Sequence, residues 1–225
     1  MACTLVYGGL SSVGLALCSH LTGNGQNVLS LSSACNDTER EQEEERELFI
    51  GRNALFHQVS LDDLWKDDLH SDIRHAFFLD LNKETEKEYY VSYQRFVKLL
   101  ENLFKQLKDL RSLVMLSENE LANAEQWNEE MDLETLFAKN LEDNLSESAV
   151  ERAAVIRISD REQKSQNQKL KPQAESPLIR VLDASIHMEP GFHVIEMLSL
   201  MNQSDREKVM TYPLDKISAF IRNEK

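Results

Sequence analysis

Apolar and polar positions along this chain alternate between two periods. Cys3-Thr4-Leu5-Val6 is a short apolar run, and Leu15, Leu17, Cys18 and Leu21 then recur at helical spacing before Thr22-Gly23-Asn24-Gly25, a glycine-rich helix stop. Asn27 to Leu31 predicts a second strand, Ala54 to Val59 a third, and Leu61 to Trp65 a short helical turn. His75 to Leu81 is nearly continuous in apolar residues, as expected of a strand covered on both faces. From Thr85 to Lys108 the residues Tyr89, Tyr93, Phe96, Leu100, Leu103 and Leu107 step by four and three, the stripe of a long amphipathic helix. Leu110 to Ser117 predicts a fifth strand. Met131, Leu133, Leu136, Phe137, Leu141 and Leu145 predict a helix within 131–148, and Ala153 to Ile158 a sixth strand. Beyond it, Leu178–Ile186 and Phe192–Leu200 read as extended segments, and Ser204 opens a last helix interrupted at Tyr212-Pro213.

Strands alternating with helices predict an α/β fold: a doubly wound, mostly parallel sheet with helices on both faces. The 225 residues suit one domain, with 178–225 as a small C-terminal part completing the sheet. Two segments interrupt the alternation. Asp37 to Glu47 holds seven acids and two arginines and reads as an acidic loop insertion over 36–48. The polar stretch 160–177, with two prolines, reads as a mobile loop.

The formal charge of −14 argues against nucleic acid or an anionic membrane surface as partner, because both select basic patches. No stretch approaches the ~20 apolar residues of a membrane span. The first apolar run lacks a basic leader and is broken by glycines, so it does not read as a secretory signal. Cys3 and Cys18 fit buried strand and helix positions, the odd count of three cysteines without a Cys-x-x-Cys pair favours a reducing cytoplasm, and the scattered histidines predict no metal site.

The chemistry-bearing stretch is Tyr7-Gly8-Gly9-Leu10-Ser11-Ser12-Val13-Gly14 between the first strand and the first helix. A strand, a glycine turn and a helix in that order build a pyrophosphate cradle from free N–H groups. Gly8, Gly9, Ser11, Ser12, Val13 and Gly14 are therefore candidate cofactor-binding residues, with Ser32 at the end of the second strand. This turn resembles the Gly-Gly-x-Gly-Phe-Ile-Gly turn of the extended, epimerase-like branch of the short-chain dehydrogenase/reductase superfamily. Leu113 to Ser117 resembles that family's fifth strand, Thr135 to Glu142 its Tyr-x-x-x-Lys helix, and Ala154 to Ser159 the strand after it. The resemblance spans about residues 3 to 160. It implies a Rossmann-like fold, NAD or NADP as cofactor, Lys139 on the ribose, and a dimer formed through helices 85–108 and 131–148.

Departures from the family pattern bear on function. Thr135 stands where a tyrosine would exchange the proton, and an aliphatic hydroxyl is far too weak an acid to replace a phenol. Ser117 is followed by Glu118, whose charge opposes a developing oxyanion. Ser11 takes the close-approach glycine position, Ser32 stands where an acid would hold the ribose, and Ser60 follows the third strand where an aspartate is common. Catalytic candidates are thus vestigial: Lys139, Thr135 and Ser117. The primary expectation is a dehydrogenase-like protein that has lost its proton-transfer chemistry and serves in binding, regulation or assembly with a protein partner. The alternatives are an NAD(P)-dependent reductase or epimerase with displaced groups, drawing on Tyr89, Tyr90 or Tyr93, and a transferase using a different nucleotide.

Overall fold

The computed structural model describes residues 3–65, 72–81, 83, 85–118, 133–144, 146, 148–159, 176–198, 207–214 and 217. Its elements run β1 (Cys3–Tyr7), α1 (Ser12–Gly23), β2 (Asn27–Leu31), α2 (Asp37–Ile50), β3 (Phe56–Val59), α3 (Leu61–Leu64) and β4 (Ile73–Phe78). There follow α4 (Glu86–Gln106), β5 (Ser112–Glu118), α5 (Leu133–Asn144), β6 (Arg152–Ser159), α6 (Pro177–Ser185), β7 (Gly191–Leu198) and β8 (Glu207–Tyr212). The eight strands form one sheet in the order β3-β2-β1-β4-β5-β6-β7-β8, parallel throughout except for the antiparallel β7–β8 pair.

Strand side chains alternate between two cores. Leu5, Tyr7, Phe78, Leu113, Met115 and Val155 join one face, which α4 and α5 cover with Phe96, Leu100, Leu103 and Phe137. Val6, Phe77, Val114, Leu116 and Ile156 join the other, covered by α1 and α6 through Leu17, Leu21, Ile179 and Leu182. Burial on both faces explains why β1, β4, β5 and β6 are apolar runs without strict alternation. The sheet is doubly wound.

Three segments differ from the sequence expectation. The acidic run is a helix, not a loop. Asn36 caps it by accepting from the Glu39 N–H at 2.8 Å, and Asp37 and Glu39 in the first turn complement the helix dipole. Leu178–Ile186 is helical as α6, with Ser176 accepting from the Ile179 N–H and Pro177 opening the first turn. Residues 207–212 are strand β8 where a helix was expected. Their exposures alternate, with Met210 and Tyr212 packed on the core and Val209 and Thr211 outward, a period of two. Residues 160–175 of the expected mobile loop lie outside the described residues, as do 131, 132, 145 and 147 of the segment 131–148.

Candidate functional site at the switch point of the sheet

Strand order reverses between β1 and β4, so their carboxyl ends flank the crevice where open α/β sheets bind ligands. Gly8 leaves β1 with φ +74°, a conformation costly for any side chain, and its N–H donates to Leu31 O at 2.9 Å. Gly14 packs its α-carbon onto the turn so tightly that a Cβ would stand 1.9 Å from Gly8 O. Gly9 sits on the buried Ser30 side chain. Ser11 is the N-cap of α1, its Oγ accepting from the Gly14 N–H at 3.0 Å. Backbone packing thus accounts for these glycines, and the cap for Ser11. Val13 is half-buried and Ser12 exposed.

Over this turn and the end of β2 lies α2, whose inward face is polar. Arg46 donates to Leu10 O at 2.9 Å and to Ser12 Oγ at 3.3 Å. One turn earlier Glu43, 4% exposed, accepts from Ser32 Oγ at 2.5 Å and from the Ser33 N–H at 3.1 Å. Glu39 accepts from the Cys35 N–H at 2.7 Å. Spacings of four and three place 39, 43 and 46 on one side of the helix.

The loop after β4 completes the cluster. Asp80 has φ +55°, unique in sign among described non-glycine residues, and accepts from Ser33 Oγ at 2.6 Å and Lys83 Nζ at 2.8 Å. Lys83 also reaches Glu39 at 3.2 Å, its side chain only 3% exposed. Burial alone would lower this ammonium, but the charges of Asp80 and Glu39 and the Asp80 hydrogen bond outweigh it and hold its pKa above the ordinary value. The tyrosine at this crevice is Tyr7 of β1. Burial pushes its hydroxyl up to about 12, so it is a feeble acid at neutrality. Cys35, half-buried beside Lys83 and Arg95, is also pushed up by burial, and the core thiols Cys3 and Cys18 rise to about 11 and about 12 for the same reason.

Ser117, Thr135 and Lys139 lie on β5 and α5, beyond β4. Ser117 is half-buried, opposite Arg157 in register; Thr135 is half-buried and Lys139 exposed. The inward group of this helix turn is Glu134, which takes Arg157 Nε at 2.9 Å and Nη2 at 2.6 Å, both side chains 10% exposed. Glu196 of β7 stands 3.9 Å from the same guanidinium.

Among solved structures, the yeast methylglyoxal/isovaleraldehyde reductase complexed with NADPH matches with a TM-score of 0.51 and 16% identity, over 69% of this chain and 58% of the reductase. The UDP-glucuronic acid 4-epimerase of Bacillus cereus, complexed with NAD and a UDP-sugar, matches at 0.50 and 15%, over 69% and 56%. Pen from Bacillus thuringiensis matches at 0.55 and 12%, over 99% and 74%. The chain shares the Rossmann-like fold of these structures. It spans less than two thirds of that reductase and of that epimerase. No protein-family model and no curated protein matches it.

Sequence reasoning singled out the glycine turn and Ser32, which lie at this crevice, and did not single out Glu39, Glu43, Asp80, Lys83 or the Glu134–Arg157 pair. One signal was readable: an acid, Asp80, inside the apolar run Phe77-Phe78-Leu79-Asp80-Leu81. Among the described residues no cluster of three His, Cys, Asp or Glu suits a metal ion, and no helix is long and apolar enough to cross a membrane.

Proposed function

We propose that this is a dehydrogenase-fold protein whose nucleotide crevice is filled by its own α2, and that it serves as a binding or assembly component instead of an oxidoreductase. The observation that carries the reading is the seating of Arg46 on Leu10 and Ser12, with Glu43 across the end of β2. In this fold a pyrophosphate lies against the turn and a ribose against the end of the second strand. Here the guanidinium covers the first place. In the second, the Glu43 oxygens are engaged by Ser32 and Ser33 donors that the chain itself supplies. A 2′-phosphate would meet the Glu43 and Glu39 carboxylates, while the Lys83 charge is already matched by Asp80 and Glu39. The residues present therefore do not suit a dinucleotide. The weak acidity of Thr135, an aliphatic alcohol, supports the same reading.

Calorimetric titration of the full chain with NADH and NADPH tests it. We expect no saturable heat up to about 1 mM of either, equivalent to binding weaker than about 4 kcal/mol. Stoichiometric binding tighter than about 100 μM, abolished by Gly9→Val, overturns the proposal in favour of a reductase or epimerase with displaced groups. That second reading draws on the NADPH and NAD in the similar reductase and epimerase structures.

A further inference from the structure

The polarity of α2 is inverted. Towards the sheet it turns Glu39, Glu43 and Arg46, closed off by Ile50, while on its solvent side stand Leu48 and Phe49, 79% and 83% exposed. Only Tyr90 and Val209 join them as exposed large hydrophobics among the described residues. Glu41, Glu44 and Glu45 are exposed on the same side, and spacings of three and four carry them into Leu48 and Phe49 as one stripe. An ordinary surface helix buries its apolar residues and shows its charges. Polar partners at the crevice explain the inward half of this inversion; nothing among the described residues explains the outward half.

We propose that the outer face of α2 docks a basic, apolar-striped helix of another protein. Leu48 and Phe49 supply an adjacent pair of anchors that a groove between partner side chains would desolvate. The glutamates one turn before them set the sign of the partner, since lysines or arginines flanking its apolar stripe would meet Glu41, Glu44 and Glu45. A second copy of this chain is a poor occupant, because it carries the same −14 and the same acids on this face. The inference rests on the assembly reading above, which requires a partner. It nevertheless concerns the opposite side of α2, so failure of the dinucleotide titration and failure of docking are separate results.

Fluorescence anisotropy of the full chain with two labelled synthetic peptides tests the docking. One carries leucine and lysine at helical spacing, and the other has each leucine replaced by serine at equal charge. The wild type should bind the leucine peptide about tenfold more tightly, with affinity falling as salt is raised. Leu48→Asn with Phe49→Asn should remove about that tenfold preference, while Glu44→Lys with Glu45→Lys should weaken both peptides by about tenfold or more. Equal binding of the two peptides, or an Asn pair that binds like wild type, overturns the proposal. So does a concentration-dependent dimer in sedimentation that the Asn pair abolishes, which would assign the face to a second copy.

Discussion

Gly14 shows how a residue that looks like ligand chemistry is demanded by packing. Its missing Cβ makes room for the Gly8 carbonyl, which the Ser11 N–H also uses at 2.9 Å to close the turn. Gly14→Ala should therefore destabilise the fold by about 3 kcal/mol, as an overpacked site that cannot relax without moving backbone. Urea unfolding of the two proteins measures it; an unchanged midpoint would show that the turn is free to shift. At this scale the sequence was legible for the turn, whose partners are local. It was silent on the partner of Asp80, because Ser33 lies 47 residues away and only the folded sheet brings them together.

Legibility at the scale of elements followed hydrophobic pattern. The doubly covered strands β1, β4 and β5 declare themselves as apolar runs, and α4 as a stripe. α2 does not, since the face it buries is made of glutamates, an arginine and a lone isoleucine. α6 is short enough for Leu178, Ile179, Val181 and Leu182 to satisfy either period, and its capping Ser176 and Pro177 were the better guide. β8 hides because Val209 and Thr211 face water and only Met210 and Tyr212 between and after them pack on the core. A second kind of anchor holds α5: Glu134 ties the helix to β6 through Arg157. Breaking a buried pair strands a charge, so Arg157→Leu should cost about 3–5 kcal/mol, whereas Arg157→Leu with Glu134→Leu should recover most of it. Thermal melts of both variants separate a charge left behind from a simple loss of packing.

For the whole molecule, acid is the sensitive direction. His75 of β4 is held near pKa 4, first by burial and then by the charges of His187, Arg152 and Arg74. Its folded pKa is lowered from 6.5, so the unfolded chain takes up the proton first. Stability from this group is complete above about pH 6.5 and is lost progressively as pH falls towards 4. With allowance for a partly solvated ring, the loss should be about 1–2 kcal/mol. Denaturation midpoints at pH 7.5 and about pH 4.5 for wild type and His75→Phe check it; equal losses in both would remove His75 as the cause.

The antiparallel strand β8 has a role that reaches past its few buried side chains. β7 carries Phe192, Val194, Ile195 and Met197 and would otherwise end the sheet with a row of unpaired amides and carbonyls beside them. Such a rim is a template for stacking further chains. By reversing direction, the chain pairs that rim with β8, so the edge passes from the buried β7 to a strand whose Val209 and Thr211 already face water.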